Sequence, residues 1–451
     1  MLCCLRVMYM VLKRKSLQFL LKWKNTPERK SLIVSGARQV GKTFLIRQFS
    51  KEAYASGIEL NFLEDSALKG IFSGALDAET ILTSIRLFRP EASIIPGKTL
   101  LFLDEVQECP EAITALKYLT PDPRVDVIAS GSALGMAYRQ VSSFPVGYVD
   151  FLDMYSLDFE EFLWALQIDE TIIHTLHGYF DSRTAVPKAI HEKMMDLLHR
   201  YLVIGGMPEV VSAFAESGDY ALADRLQREI YRAYMNDIAH YAPPQIRIKA
   251  ESCYASIPNQ LSKENHKFQY KTVEKGGTAR KFETSIDWLV NAFVSVPVHN
   301  VSVVDFPLKA YAKEDNFRLY MNDIGLLIST YPYELKRALL EDRALDEGSP
   351  NFILKVAKGG IYEALAADLL IKKGYTLYFF RNDTGSVEIE FLLEKADGII
   401  PVEVKAGRSS TASLNRLLEQ DNIPYGYKLA SQNCGVSGKK ITLPLYMLLF
   451  L

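Results

Sequence analysis

The run Gly36-Ala37-Arg38-Gln39-Val40-Gly41-Lys42-Thr43 carries two glycines, a lysine and a hydroxyl at fixed spacing. It follows a short apolar segment, Ser31–Ser35, and precedes a helix-forming stretch, FLIRQFSKEA. That order suits phosphate binding. Glycines let the backbone curl so that its N–H groups face phosphate oxygens. The helix that follows would aim its positive end at the same oxygens. Lys42 would reach the β- and γ-phosphates of ATP, and the Thr43 hydroxyl would bind Mg²⁺. All eight residues are therefore candidate nucleotide contacts.

A metal and a water need further groups. Thr99–Leu103 is an apolar run that ends in Asp104-Glu105. Asp104 at the strand's end would hold the Mg²⁺ shell, and Glu105 is placed to polarise an attacking water. Phosphoryl transfer depends on such positioning and charge more than on covalent help. Glu105 and Lys42 are thus the candidate catalytic residues. A further strand, Arg124–Ala129, ends in Ser130-Gly-Ser132. Ser130 and Ser132 could sense the γ-phosphate or could simply cap the strand end.

The elements that must hold these groups are readable from pattern. Ser31–Ser35 has the composition of a buried parallel strand. Gly57–Glu64 and Asp153–Leu157 predict two more strands. Asp158-Phe-Glu-Glu161 predicts a helix start in which Asp158 caps and Glu161 reaches back.

GARQVGKT, LFLDEVQECP, SGSALG, YSLDFEEFL and YLVIGGMPEVV together resemble P-loop ATPases of the AAA+ superfamily found in bacteria and archaea. That family carries a C-terminal restriction-endonuclease-like domain of unknown function. The resemblance extends from about residue 10 to the end and implies an ATPase that uses ATP and Mg²⁺. Related ATPases often place an arginine in a Pro-Gly-Arg turn after the sensor strand. The corresponding stretch here is Pro145-Val-Gly147-Tyr148. The arginine finger is therefore unassigned, with Arg38 and Arg139 as candidates. Rings are common among such relatives, so an oligomer is compatible with the resemblance.

The middle of the chain reads as helices over His191–Leu202, Glu209–Phe214 and Ala221–His240, interrupted by Gly205-Gly206-Met-Pro208. Ile246–Lys281 then carries eight basic and three acidic residues, a local +5. Phe282, Ile286, Leu289 and Phe293 mark one buried helix face. Arg280, Lys281, Thr284 and Ser285 fall near the exposed start of that helix. Val294–Val298 and Val301–Phe306 predict a hairpin turning at His299-Asn300. Helix, turn, helix and hairpin is the order of a winged helix, and the resemblance implies one as well. Those four polar residues are candidate DNA contacts, and a protein-binding winged helix with a solvated basic face is the other reading.

Beyond Gly359 the pattern predicts helix Ile361–Lys373, strands Thr376–Arg381, Val387–Glu394 and Ile399–Lys405, a helix over Thr411–Gln420 and a strand over Tyr425–Ala430. This α-β-β-β-α-β order resembles restriction-endonuclease cores. Glu388 and Glu390 share a strand face, as do Glu403 and Lys405. Glu390, Glu403 and Lys405, with Glu363 from the helix, could hold Mg²⁺ and orient a water for phosphodiester attack. The family usually has Asp where Glu390 stands. A salt-bridged cluster that cuts nothing is the competing reading.

These readings make an α/β chain: a P-loop NTPase of AAA+ type with a parallel sheet, a winged-helix domain and a restriction-endonuclease-like α/β domain. The expected borders are 10–190, 191–345 and 350–451, with polar Tyr333–Gly348 as a linker. The 451 residues allow roughly three domains at about 150 residues each. Net charge is −2, so any contact with nucleic acid must come from a local patch. Five cysteines without a C-x-x-C pair fit a reducing cytoplasm. The apolar stretch 1–12 is broken by Arg6 and is too short to span a bilayer. It also lacks the order of a signal peptide, and Met8 or Met10 could serve as the start. No membrane association is expected. DNA or a protein is the expected partner.

Overall fold

The computed structural model describes residues 10–132, 143–263, 265–340, 352–405 and 411–451, with only the backbone for 352–357. The chain forms two compact units. One comprises Lys13–Ser156 with Trp288–Val294. The other comprises Met10–Leu12, Leu157–Asp287 and Ser295–Leu451.

The first unit opens with helix α1 (Lys15–Lys24) and alternates strands with helices: β1 (Ser31–Ser35), α2 (Lys42–Ala53), β2 (Ser56–Asn61), α3 (Ala78–Phe88), β3 (Thr99–Asp104), α4 (Pro110–Leu119), β4 (Asp126–Gly131) and β5 (Val149–Asp153). The strands pair in parallel in the order β2-β3-β4-β1-β5. Every residue of β1 and β3 is buried, as expected for parallel strands covered on both faces. Ile33, Leu60, Leu101, Leu103, Ile113 and Leu116 belong to one apolar core between the sheet and the helices on one side. The last strand lies earlier than Asp153–Leu157. Val149–Asp153 aligns with β1 from Ser31 to Ser35, and the chain leaves the sheet after Asp153.

Parallel pairing brings the C-terminal ends of the strands to one edge, where open α/β sheets bind ligands. The β1 loop, Asn61 of β2, Asp104 of β3 and Ser130 of β4 all arrive there. β4 lies between β1 and β3, so its tip sits between the glycine loop and the paired carboxylates.

Gly36 is fixed by crowding. A Cβ there would stand 2.1 Å from the Met154 carbonyl oxygen. Gly36→Ala should therefore cost about 1–3 kcal/mol. It is expected to lower the midpoint of thermal unfolding followed by circular dichroism.

The second unit begins with α5 (Phe159–Ala165), whose Asp158–Glu161 capping box forms as expected. Helices α6 (Glu170–Ser182), α7 (Lys188–Ile204), α8 (Pro208–Ser217), α9 (Tyr220–Tyr241), α10 (Arg247–Leu261), α11 (Tyr270–Val273) and α12 (Ala279–Asn291, shared with the first unit) follow. Gly206 lets the α7–α8 turn meet the chain at Leu157, whose N–H donates to the Gly206 carbonyl at 2.7 Å. A Cβ on Gly206 would meet the Leu157 oxygen at 2.0 Å.

The rest of the unit is built on one eight-stranded sheet, order β12-β13-β11-β10-β9-β8-β6-β7. Its strands are β6 (Ser295–Val301), β7 (Ala312–Met321), β8 (Tyr378–Arg381), β9 (Glu388–Lys395), β10 (Gly398–Val404), β11 (Gly426–Ala430), β12 (Gly435–Ser437) and β13 (Lys440–Pro444). Helices α13 (Ile324–Ser329), α14 (Tyr333–Leu340), α15 (Phe352–Lys372) and α16 (Ala412–Leu418) complete it. Helix α15, strands β8 to β10, helix α16 and β11 occur in the expected order.

Two expectations about this unit are corrected. His299-Asn300 is no turn, because β6 runs through it with a register shift and the hairpin partner is the later strand β7. Asn300 is a buried polar residue satisfied across the sheet: its amide donates to the Arg381 carbonyl at 3.1 Å and its oxygen accepts from the Arg381 N–H at 2.8 Å. The would-be wing also pairs with β8, so one sheet crosses the border expected near 345–350. The first part of the expected linker Tyr333–Gly348 is helix α14, and 341–351 lie outside the described residues.

Candidate functional site

The glycine loop joins β1 to α2, with Gly41 at φ 93° as the residue before the helix and Gln39 at φ 62° within the turn. Lys42 is buried, and its ammonium donates to the carbonyls of Gly36 at 2.8 Å and Ala37 at 2.7 Å. The loop thus closes on its own lysine. Burial pushes that ammonium down to about 8 against the opposing pull of Glu105 and Asp104. The Thr43 hydroxyl donates to Asp104 Oδ2 at 2.9 Å. Ser130 donates to the other Asp104 oxygen. The Asp104 carboxyl is raised, chiefly by burial, while the Ser130 bond holds it back.

Glu105 follows at φ 56°, a left-handed conformation that turns the chain off the strand. Its carboxylate accepts from the Gln107 amide, two residues on. Arg38 donates to Ser132 across 3.5 Å, tying the loop to the β4 tip. Ala37 and Val40 are buried under the loop. The structure therefore brings the expected loop residues, Thr43, Asp104, Glu105, Ser130 and Ser132 to one sheet edge. Arg139 lies outside the described residues.

One residue here escaped sequence reasoning. Asn61 ends β2 in register with Asp104, and its amide donates to Asp104 Oδ2 at 3.2 Å. Its oxygen accepts from the N–H groups of Leu63 and Glu64, both at 3.0 Å. The available signal was a polar residue at the end of the strand beside the paired carboxylates.

Mg²⁺ and a nucleotide fit this edge. A hydroxyl and a carboxylate already meet where a cation would need both, and the loop carbonyls already hold an ammonium. Thr43 and Asp104 could hold the metal, and the loop N–H groups with Lys42 could hold phosphates.

The basic segment is less open than expected. Arg280, Lys281 and Thr284 are exposed, but Lys281 pairs with Glu274 at 2.6 Å. Ser285 is corrected as a DNA contact: it is fully buried, and its hydroxyl donates to the Ile246 carbonyl at 3.4 Å. The helix turns that side inward because Ser285 neighbours Phe282 and Ile286 on the apolar face.

Glu390, Glu403 and Lys405 do meet. Lys405 lies 3.3 Å from Glu390 and 3.2 Å from Glu403. Burial raises Glu390 to about 7 despite Lys405. Glu363 is corrected as an open ligand. It is buried, pairs with Arg318 at 2.6 Å and His266 at 2.7 Å, and accepts from the Tyr320 hydroxyl. Burial alone would raise its carboxyl, but Arg318 and then His266 outweigh that and hold it at about 2. Among the described residues no group of three or more His, Cys, Asp and Glu is arranged to hold a metal ion, and no helix is long and apolar enough to cross a membrane.

A parallel sheet whose first strand runs through a glycine-lysine loop into a helix, with an acidic strand end and a serine tip beside it, defines a P-loop nucleoside-triphosphatase domain. Residues 28–163 match the family described as AAA domain, which supports a P-loop ATPase of the AAA type. Residues 195–335 and 358–444 match two domains of unknown function, DUF8612 and DUF4143. An uncharacterized protein of Haemophilus influenzae is 23% identical over 411 residues, which cover 88% of this chain and 86% of that protein. Among solved structures, a Walker-type ATPase of Pyrococcus abyssi is similar over 71% of this chain and 95% of its own, with 14% identity and a TM-score of 0.42. The Orc1 protein of Aeropyrum pernix, solved in complex with DNA, is similar over 74% of this chain and 94% of its own, with 13% identity and a TM-score of 0.29.

Proposed function

We propose that the protein is a Mg²⁺-dependent ATPase whose nucleotide state governs how its second unit engages DNA. The observation that carries this reading is the convergence of Lys42, Thr43, Asp104 and Ser130 at one sheet edge. Residues 36–43 bind the phosphates, with Lys42 leaving its carbonyl partners for the β- and γ-phosphate oxygens. Thr43 and Asp104 hold Mg²⁺, which supplies charge neutralisation on the phosphates when bound. Asn61 and Ser130 fix the Asp104 carboxylate from two sides. Glu105 polarises the attacking water and accepts its proton, and Ser130 or Ser132 reads the γ-phosphate. The arginine that would stabilise the transition state is unassigned, and Arg38 is the described candidate. Turnover without a partner should be slow.

Arg280, Lys281 and Thr284 are the proposed DNA contacts, supported by the local excess of basic residues. The test is ATP turnover with and without duplex DNA, together with a salt series of DNA binding. Stimulation by DNA and an affinity that falls with salt are expected. No stimulation and no salt-dependent binding would refute the DNA arm while leaving the ATPase arm standing.

A second reading has its own support. The Lys281–Glu274 pair and the buried Ser285 reduce the cationic surface of α12. They favour a nucleotide-sensing scaffold that binds a protein partner. Tight ATP binding with negligible turnover would select it. We place either form in the cytoplasm.

A further inference from the structure

The carboxylate cluster of the large sheet has an internal account of its charge. Glu388 and Glu390 leave β9, Glu403 leaves β10, and Glu363 comes from α15. Their oxygens are almost all in use. Glu363 Oε1 accepts from Arg318 and Tyr320, and its Oε2 from His266. Glu388 Oε1 accepts from Arg318, and its Oε2 faces Arg381 at 3.5 Å. Glu390 Oε1 accepts from Lys405, and its Oε2 from the Val404 N–H at 3.2 Å. Glu403 Oε1 pairs with Lys405, which leaves Glu403 Oε2 as the one buried oxygen of the four side chains without a partner.

Arg318 is the keystone. Its side chain is 2% exposed, and it reaches the cluster from β7, a strand outside the α-β-β-β-α-β core. The guanidinium bridges Glu363 and Glu388 and lies 4.2 Å from the centre of the Phe379 ring. A planar fork that satisfies two carboxylates is the geometry arginine supplies best. Mg²⁺ would instead need an octahedron of oxygens at about 2.0–2.1 Å. Here the oxygens already face nitrogen and hydroxyl donors. Arg318, Arg381, Lys405 and His266 stand opposite four carboxylates, so a dication meets a single free oxygen, Glu403 Oε2, and no uncompensated charge to attract it. His266 supports this balance, since Glu363 outweighs burial and raises its imidazole.

We propose that Arg318, with Lys405, is the resident cation of this cluster in the place a divalent metal takes in a metal-dependent nuclease, and that the cluster locks β7, β9, β10 and α15 together instead of cutting phosphodiesters. The ATP site plays no part in this. The second unit then engages its partner without hydrolysing it.

The first test is Mn²⁺ binding to the full chain without nucleotide, followed by electron paramagnetic resonance. Parent and Glu390→Gln should bind the same amount of Mn²⁺. One equivalent bound by the parent and lost in Glu390→Gln would overturn the proposal. The second test is cleavage of supercoiled plasmid DNA with Mg²⁺ or Mn²⁺. Intact plasmid is expected, and cleavage that disappears in Lys405→Ala would overturn it. The third test is the melting temperature. Arg318→Met should fall by about 10 °C, since it strands buried carboxylates, and adding Glu363→Gln should recover part of the loss. A parental melting temperature in Arg318→Met would overturn the lock.

Discussion

Replacing Lys42 with alanine should abolish nucleotide binding, and with it turnover. The ammonium is buried inside the glycine loop and already desolvated, so no hydration shell has to be removed when phosphate arrives. Its partners without nucleotide are two neutral carbonyls, which triphosphate oxygens can outbid. In the variant, the phosphates would keep the loop N–H groups and a metal held by Thr43 and Asp104 but would lose the buried ammonium, with Glu105 close by as negative charge. A loss of at least roughly 100-fold in ATP affinity is expected, since a charge-assisted contact in a low-dielectric site is worth several kcal/mol. Fluorescent-nucleotide titration would measure it. Parental turnover in Lys42→Ala would remove the loop from its assigned role. The parent also carries a pH signature. Lys42 loses its proton near 8 in the free protein, and bound phosphates would favour the charged form. Binding then takes up a proton above that pH, so affinity should hold below about pH 8 and decline above it, by up to about tenfold per pH unit.

Glu105→Gln should leave ATP binding near the parental value and slow hydrolysis by roughly 100- to 10,000-fold, the range for removal of a positioned general base. Glutamine keeps the shape of the side chain and the left-handed turn, but it cannot accept the proton of a water. The Gln107 amide that now donates to Glu105 can still donate to the new amide oxygen, so the local fold should persist. Single-turnover measurement with bound ATP separates chemistry from binding. Equal rates in variant and parent would remove Glu105 from the reaction. Should both variants behave as expected while DNA leaves the parent's rate unchanged, the DNA arm loses its support and the ATP site stands.

Legibility followed sequence distance. The glycine loop, Lys42 and Thr43 were readable because the groups that act together are neighbours in the chain, and the capping box of Asp158 and Glu161 was readable for the same reason. Asp104 and Ser130 were readable as polar ends of apolar strands. Asn61 was not, because its importance comes from parallel pairing with β3, which sets it level with Asp104. Asn300 misled in the opposite sense. A His-Asn pair between alternating segments suggests a turn, yet pairing on both sides of β6 satisfies that amide inside a sheet. Ser285 looked like a surface hydroxyl beside two basic residues, and helix rotation buried it.

Arg318 marks the limit most sharply. In sequence it is one charge in an alternating stretch, Asn316–Met321, far from each glutamate it serves. Pattern alone could group Glu390, Glu403 and Lys405 because two strands and one turn join them. It could not supply the cation that arrives from β7, since strand order in a sheet depends on which edges the whole chain buries. The sequence by itself determined the phosphate-binding loop and its acidic strand, whose chemistry is local. Tertiary structure alone decided which charges neutralise one another, because a buried carboxylate is governed by whatever donors long-range packing brings within hydrogen-bond reach.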